Sequence, residues 1–298
     1  MANLKEVRTR IASVSSTQQI TSAMKMVSAA KFRRAQNAII GMRPYAAQLN
    51  EIIADIDTGD GVMTPYHAVR PVQTVVLVVV TSNKGLCGAF NSNVLKLAHQ
   101  RLDHWRSEGA AIRMVCIGKK ASEQMAKQRD VQLSSYDELL DAPAFDPVAT
   151  LADTLMDDFA DKKIDRVELI YNQFKNSLSQ VLSCEQFLPV QSGKSGKSGI
   201  SGNSSDSGKS GNNDYIFEPS KEEILREMIP LTLRSTFYRM VLDSLAAEHG
   251  ARMTAMQKAT DNATELLKEL RLSYNKARQA AITNEIIEIV SGSEALKG

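Results

Sequence analysis

Apolar residues recur every three or four positions along the first 56 residues of the chain. This spacing is typical of a coiled-coil seam, in which two positions of each heptad face a partner helix. The two positions read Leu4, Ile11, Gln18, Lys25, Phe32, Ile39, Ala46 and Ile53, and Val7, Val14, Thr21, Ser28, Ala35, Met42, Leu49 and Ile56. The middle of the seam is therefore polar, and Pro44 predicts a kink or a local distortion of the helix.

A second seam of this kind lies near the end of the chain. Its members are Leu242, Ala246, His249, Met253, Met256, Thr260, Ala263, Leu267, Leu270, Tyr274, Ala277 and Ala281. After Ala281 the stripe turns polar at Asn284 and Glu288, whereas the apolar residues move to several other faces of the helix. We predict that Pro230 lies at the start of this long helix, after a shorter helix that begins at Lys221.

The two predicted helices are long for a chain of 298 residues. At the rise of an α-helix, residues 3–56 span roughly 80 Å and residues 231–290 roughly 90 Å. Neither length fits inside a globule of this size, so the helices are expected to protrude. Two seams at opposite ends of one chain predict an antiparallel coiled coil.

Between the seams the pattern changes to alternating strands and helices. The strands are predicted at Thr74–Ser82, Ile112–Gly118, Val131–Leu133 and Arg166–Asn172, and the helices at Asn93–Trp105, Lys120–Lys127 and Val148–Ala160. The first strand is a continuous apolar run, which is typical of a strand buried on both faces. The order predicts a Rossmann-like α/β domain with a largely parallel sheet.

These patterns divide the chain into four segments: an N-terminal coiled-coil helix (1–60), an α/β domain (61–190), an insertion (191–214) and a C-terminal helical segment (215–298). The insertion is rich in Gly, Ser, Lys and Asn. It holds too little apolar area to offset its ordering entropy, so we expect it to be flexible and to tolerate shortening.

Charge and cysteine content narrow the possible partners and compartments. The net charge is only +2, but residues 1–50 carry eight Lys or Arg against one acidic residue, Glu6, which predicts an acidic partner. Three cysteines without ligand spacing predict reduced thiols in a cytosol-facing compartment. The longest apolar run, Val75–Val80, is too short to span a bilayer, so membrane association is expected only through a partner.

Candidate catalytic or phosphate-binding motifs are incomplete. "GKS" occurs three times in the insertion, but without the preceding glycine of a P-loop. "TSNKGLCGAFN" (Thr81–Asn91) follows the first strand, where doubly wound sheets bind phosphates, yet it lacks the dinucleotide-binding glycine pattern. We interpret it as a structural turn or a partner contact, and Cys87 within it as an ordinary thiol. We therefore expect no catalytic residues, no cofactor and no metal.

Four stretches together resemble one family from end to end. They are "ITSAMKMVSAAKFRRAQ" (20–36), "TSNKGLCGAFN" (81–91), "ARMTAMQKATDNA" (251–263) and "YNKARQAAITNEIIEIVSG" (274–292). They resemble the gamma subunit of bacterial F-type ATP synthases. The last stretch fits the family signature I-T-x-E-x-x-[DE]-x-x-x-G-A, except that Ser293 replaces the final alanine.

The resemblance implies a central rotor shaft without an active site of its own. By rotation, it would couple proton flow through the membrane c ring to ATP synthesis or hydrolysis in the alpha–beta hexamer. The implied partners are the alpha and beta subunits, the epsilon subunit and the c ring, with no nucleic acid and no direct membrane insertion. The implied location is peripheral, on the cytoplasmic side of the bacterial inner membrane.

The resemblance also implies roles for individual residues. Contacts with a beta subunit are expected at Met24, Lys25, Arg33, Arg34, Cys87, Arg278, Gln279 and Thr283. The shaft tip is expected at Ile286, Ile287, Ile289 and Val290, and a contact near the c ring at Tyr215. We interpret the polar residues in the middle of the first seam as keeping the shaft from locking onto any one beta subunit.

Two other functions stay open on the residues alone. A nucleotide-binding α/β enzyme would bind nucleotide tightly as a purified chain. A basic coiled-coil adaptor would bind nucleic acid with an affinity that falls steeply with salt, and it would have no affinity for alpha–beta hexamers.

Overall fold

The computed structural model describes residues 4–56, 64–128, 131–141, 143–176, 179–190 and 220–295. The chain divides into two compact units. One unit combines the chain up to Ala30 with the chain from Arg252 onwards, and the other comprises Lys31–Ala251. Residue Tyr215 and the predicted insertion 191–214 lie outside the described residues, and the division into four segments stays a prediction.

The observed elements follow the predicted order. They are α1 (Leu4–Ile56), β1 (Thr74–Val80), α2 (Phe90–Ser107), β2 (Ala111–Ile117), α3 (Lys119–Met125), β3 (Gln132–Ser135), α4 (Phe145–Ala160), β4 (Arg166–Phe174), β5 (Gln180–Leu188) and α5 (Lys221–Ala295). Short 3₁₀ turns at Pro65–His67 and Asp137–Leu140 complete the described elements. The long terminal helices and the α/β class are confirmed.

Five strands form one sheet in the order β3-β2-β1-β4-β5. The strands β1 to β4 are parallel, and β5 pairs antiparallel with β4 at the edge. All residues of β1 from Val75 to Val80 are buried, as its uninterrupted apolar sequence predicts. The largely parallel sheet is therefore confirmed, whereas the edge strand β5 was not predicted.

Each face of the sheet is covered by helices. On one face, β1 and β4 pack with α4 and the first part of α5 around Phe159, Tyr171 and Phe237. On the other face, the same strands and β2 pack with α2 and α3 around Leu102, Met114 and Met125. Both helical layers belong to the unit Lys31–Ala251, so this unit holds a complete α/β sandwich.

The prediction that Pro230 starts a separate helix is wrong, because α5 runs without a break from Lys221 to Ala295. A proline inside a helix loses one backbone hydrogen bond and crowds the carbonyl four residues earlier, at a cost of about 3 kcal/mol. Here the residues on both sides are buried: Leu225 and Ile229 precede the proline, and Leu233 and Phe237 follow it. Burial of four large apolar side chains, at about 1.5–3 kcal/mol each, more than offsets that cost.

In the unit formed by the two chain ends, α1 and α5 pair in antiparallel orientation. Hydrogen bonds join Gln18 to Thr264 and Thr260 to Thr21, so the partner position moves backwards along α5 as α1 advances. The buried residues Val7, Thr21 and Ser28 of α1 lie on its predicted seam, as do Met256, Ala263 and Leu267 of α5. The antiparallel coiled coil is confirmed.

Two of the four polar residues in the middle of the first seam, Thr21 and Ser28, do not have the role that we expected. Thr21 and Ser28 are 9% and 3% exposed, so they cannot set the affinity of an outer surface for another subunit. Seam positions by definition face the partner helix. The surface that α1 presents outwards must be identified from other residues.

Candidate functional surfaces

The carboxyl edge of the sheet is the first place to look for a ligand site. In a doubly wound sheet, ligands bind where the strand order reverses, which here is between β1 and β4. That position is filled by the chain itself. Cys87 and Phe90, which follow β1, are buried against Ala247 of α5, with Ala251 packed beside them.

The start of α3 is also occupied by the chain's own groups. Its backbone N–H groups at Lys119, Lys120 and Ala121 donate to the Asn83 side chain, the Ser82 carbonyl and the Thr81 hydroxyl, at 3.0, 3.2 and 2.8 Å. These donors are the ones that would bind phosphate at a helix N-terminus. The stretch "TSNKGLCGAFN" therefore serves as a structural turn.

Gly118 allows this close approach. Its φ of +110° is a conformation that residues with a side chain rarely adopt, and an added Cβ atom would lie 2.3 Å from the Thr81 carbonyl oxygen. The same turn is fixed from its other end by Asn91, whose side-chain oxygen accepts a hydrogen bond from the Ser82 backbone N–H at 3.0 Å.

We expect the purified chain not to bind ATP or ADP in isothermal titration calorimetry with the nucleotide present up to millimolar concentration. The replacement Asn83→Ala, which frees the Lys119 N–H, should lower the free energy of unfolding by about 1 kcal/mol without creating a nucleotide site. Saturable nucleotide binding at micromolar concentration would contradict our interpretation of this loop.

Cys87 is the buried member of the set of residues predicted to contact a beta subunit. It is 2% exposed, and its sulfur accepts a hydrogen bond from the Asn91 side chain at 3.3 Å. The neighbouring Leu86 instead points outwards, at 63% exposure and with a φ of +63°. A partner of this loop would therefore meet Leu86, not Cys87. The positive φ of Leu86 is not visible in the sequence, so sequence reasoning missed this residue.

In the unit of the paired chain ends, an apolar stripe lies outside the seam on α1. Ile20, Met24 and Val27 are spaced by four and three residues and are 53%, 39% and 59% exposed. Of these, only Met24 was predicted as a contact. The sequence indicates this stripe, because all three residues are apolar and lie at helix positions outside the heptad seam. Lys25, on the seam itself, is half-buried.

In the other unit, the predicted basic residues Arg33 and Arg34 of α1 are exposed, whereas the seam residues Ala35 and Ile39 next to them are buried. Ala35 and Ile39 pack against Leu242 and Ala246 of α5. The two arginines therefore project from a helix face that the described residues leave uncovered.

The end of α5 is exposed on every side. All residues from Arg278 to Ser293 are exposed, including the predicted contacts Gln279 and Thr283. The predicted tip residues Ile286, Ile287, Ile289 and Val290 are 55%, 58%, 66% and 56% exposed. These tip residues lie beyond the part of α5 that faces Leu4 and Val7 of α1. The register that sets Gln18 opposite Thr264 brings Leu4 only to about Arg278.

Glu168 is the titratable group that most resembles a catalytic one, because it lies on the internal strand β4 and is 2% exposed. Burial alone would raise its pKa. Hydrogen bonds from Arg101 and Trp105 and the charges of Arg101 and Arg166 outweigh burial and hold the pKa of the Glu168 carboxyl below its usual range. A general acid for work near neutral pH requires a raised pKa, so Glu168 is a structural ion-pair residue.

Metal binding and membrane insertion can be addressed for the part of the chain that the structure describes. Within them, no group of three or more His, Cys, Asp or Glu is arranged to hold a metal ion. None of the described helices combines the length and the apolar character needed to cross a membrane.

Comparison with known proteins shows which family and which proteins the chain is similar to. A family model described as "ATP synthase" matches residues 3–296. The ATP synthase gamma chain of Flavobacterium johnsoniae is 52% identical, with all of both chains covered. The ATP synthase gamma chains of Cytophaga hutchinsonii and Bacteroides fragilis are 48% and 46% identical, with at least 99% of each chain covered.

Solved structures agree at the level of the fold. A chain from the OSCP/F1/c-ring structure of the Euglena gracilis mitochondrial ATP synthase matches with a TM-score of 0.66 at 19% identity, covering 98% of this chain and 94% of that one. A chain from the central stalk and c-ring structure of the Tetrahymena thermophila enzyme matches with a TM-score of 0.58 at 24% identity, covering 80% and 99%.

Proposed function

This chain belongs to the family of ATP synthase gamma chains, and from that premise we propose that it is the central rotor shaft of an F-type ATP synthase. By rotation, it couples proton flow through the c ring to ATP synthesis or hydrolysis in the alpha–beta hexamer. The observation that carries this proposal is the end of α5, where apolar side chains remain exposed on all faces beyond the start of α1.

An apolar tip suits a rotating bearing. Contact between apolar surfaces has no preferred direction, so no rotational angle is held by fixed hydrogen bonds. Ile286, Ile287, Ile289 and Val290 point to several faces of α5, as a collar around the whole tip would require. The apolar collar is supplied by the far end of the alpha–beta hexamer.

Between the tip and the foot, the proposed contacts with a beta subunit use hydrogen-bond donors, apolar side chains and positive charges. Arg278, Gln279 and Thr283 are exposed and offer hydrogen-bond donors. Along α1, the stripe of Ile20, Met24 and Val27 offers apolar contact, with Lys25 beside it. Arg33 and Arg34 are suited to an acidic segment of the beta subunit, and the loop of Cys87 makes its contact through Leu86.

The chain acts as a non-catalytic subunit without a cofactor. Its doubly wound sheet is closed by α5 at the position where such sheets bind nucleotides, which supports placing nucleotide chemistry in the hexamer. The α/β unit forms the foot, whose partners are the epsilon subunit and the c ring, with Tyr215 near the c ring. The protein is then peripheral, on the cytoplasmic side of the bacterial inner membrane.

Copurification tests this proposal. An affinity-tagged chain expressed in its own cells should elute with alpha, beta and epsilon subunits, and the eluted complex should hydrolyse ATP. Elution without alpha and beta subunits, together with salt-sensitive retention of nucleic acid, would favour the adaptor function instead.

Reversing the basic face should reduce coupling more than folding. In Arg33→Glu/Arg34→Glu, like charges would face an acidic partner, at a cost on the order of 1 kcal/mol for each close pair. We expect normal assembly and less proton pumping for each ATP hydrolysed in inverted membrane vesicles. The control Lys96→Glu/Lys127→Glu reverses two exposed charges, one on α2 and one in the turn after α3, and should leave coupling unchanged. Normal coupling of the Arg33/Arg34 variant at low salt would contradict the electrostatic contact.

A further inference from the structure

The two helices of the paired chain ends are joined by a closed set of hydrogen bonds in the polar middle of their seam. The Gln18 side-chain amide donates to the Thr264 hydroxyl at 2.8 Å, and Thr264 donates to the Thr260 carbonyl at 2.8 Å. The Thr260 hydroxyl lies 2.9 Å from that of Thr21, which donates to the Gln18 carbonyl at 3.0 Å. We name these four residues the polar square.

The polar square has an internal symmetry that matches an antiparallel pair. On each helix, one side chain reaches across to a threonine of the other helix. That threonine donates to a backbone carbonyl of its own helix, namely the carbonyl of the residue that reaches across in the opposite direction. The Thr260 hydroxyl also lies 2.8 Å from the Met256 carbonyl, so its proton has an acceptor on either helix. The Gln18 side chain and Thr260 are half-buried, and Thr21 is buried.

Apolar seam contacts alone tolerate small axial displacements, because their free energy depends on buried area and has little directional component. Hydrogen bonds differ, because an interaction at 2.8–2.9 Å weakens steeply once the atoms separate beyond about 3.5 Å. Larger displacements are opposed as well. A shift by seven residues, which keeps an apolar seam in phase, would set Thr21 against Leu267 or Met253.

We propose that the polar square of Gln18, Thr21, Thr260 and Thr264 is an axial lock, which holds α1 and α5 in one alignment and so fixes how far the apolar end of α5 extends beyond the start of α1. A polar group within an apolar seam is known to specify register at some cost in stability. The lock depends only on contacts within the chain. Its consequence, a tip of fixed height, rests on the proposed function.

The test variant is Gln18→Leu/Thr21→Val/Thr260→Val, which removes both interhelical hydrogen bonds with little change in shape. The matched control is Gln19→Leu/Thr9→Val/Thr17→Val. It makes the same three exchanges at exposed positions of α1, where Thr9 and Thr17 donate only to carbonyls of their own helix in the described contacts. Both are made in the full chain with the exposed Cys184 replaced by Ser, since Cys87 and Cys116 are buried.

The measurement is the distance distribution between spin labels at Arg10→Cys and Ser273→Cys, two exposed positions on the two helices. The parent chain and the control should give one narrow distance. The test variant should give a distribution about twofold broader, or a second distance displaced along the helix axis by up to roughly 10 Å, the rise of seven residues. Its thermal unfolding midpoint should be unchanged or higher, because apolar side chains of similar shape replace both partners of each bond.

An unchanged narrow distance in the folded test variant would overturn the lock. If the triple variant does not fold, Thr21→Val/Thr260→Val, which removes one of the two bonds, carries the same test with an intermediate broadening as its expected result. The experiment requires no other subunit. A negative result therefore rejects the lock and leaves the rotor function untouched, whereas failed copurification rejects the rotor function and leaves the lock untouched.

Discussion

Replacing Glu168 by Leu is expected to lower the free energy of unfolding by about 2–4 kcal/mol. The carboxylate is 2% exposed. Arg101 donates to it in two hydrogen bonds, at 2.6 and 2.8 Å, and Arg166 in one at 3.0 Å. Its loss leaves two guanidinium groups without their counter-charge and the buried Trp105 indole N–H without its acceptor. Both arginines keep some access to water, which holds the cost below that of a fully buried pair.

Urea unfolding followed by far-ultraviolet circular dichroism and by fluorescence measures this effect. Trp105 is the single tryptophan of the chain, so its emission reports directly on the network. The matched control is Glu123→Leu, because Lys120 and Glu123 also approach to 2.6 Å but on the surface. An exposed ion pair contributes little to stability, because water and salt screen the two charges. Similar losses in the two variants would contradict the view that burial decides the strength of the Glu168 network.

The same carboxylate gives the protein a defined acid sensitivity. The folded-state pKa of Glu168 lies below the ordinary value of 4.5, so the folded chain holds this proton less tightly than the unfolded chain does. The contribution to stability is therefore complete above the unfolded value and is lost as the pH falls through the folded value. Between neutral pH and about pH 3, the parent chain should lose more stability than Glu168→Leu does.

The sequence predicted the elements whose periodicity is long and unbroken. The seams of α1 and α5 and the apolar run of β1 each repeat one pattern over many residues, so local exceptions do not hide them. The strand β5 was missed because an edge strand alternates weakly: Val181 and Leu182 are both exposed, and Glu185 and Gln186 are both half-buried. Pro230 was misplaced because the burial that stabilises the helix around it comes from the sheet.

The sequence predicted which kinds of residue form the candidate contacts, but it predicted less well which of those side chains are exposed. Arg33 and Arg34 lie on an exposed face, as helical phase alone requires, whereas the residues from Arg278 to Ser293 are exposed on every face, including the predicted seam residue Ala281. Cys87 and Leu86 are neighbours in one turn, and only the backbone conformation decides which side chain faces inwards. The polar residues Thr21 and Ser28 were correctly placed on the seam, but the contribution of Thr21 depends on Thr260, which is 239 positions away.

Removing the end of α5 should weaken assembly severely. Truncation after Ala281 deletes the four predicted tip residues, each more than half exposed in the chain alone. Burying the exposed part of each in an apolar collar contributes roughly 1 kcal/mol, so their loss should raise the Kd for the alpha–beta hexamer by about a thousandfold. Complexes that still form at high concentration should retain some rotation-coupled ATP hydrolysis, because the contacts nearer the foot remain.

The variant Ile286→Ser/Ile287→Ser/Ile289→Ser/Val290→Ser separates apolar contact from helix length. It keeps a full-length chain and removes only the apolar surface, so it should weaken hexamer binding nearly as much as truncation does. Equilibrium binding of the labelled chain to alpha–beta hexamers measures both. Tight binding by the serine variant would mean that the length of α5, not its apolar surface, holds the tip.

Removing the hydrogen-bond donors next to the tip should lower the rate of ATP hydrolysis and leave assembly intact. Arg278 and Gln279 are exposed, and hydrogen bonds that form only at some rotational angles add little to the average binding energy but act on individual steps of the cycle. Arg278→Ala/Gln279→Ala should therefore assemble normally and lower the steady-state rate of ATP hydrolysis. Were this double variant to dissociate the complex while the tip truncation assembled normally, the bearing would lie at the directional contacts and not at the apolar tip.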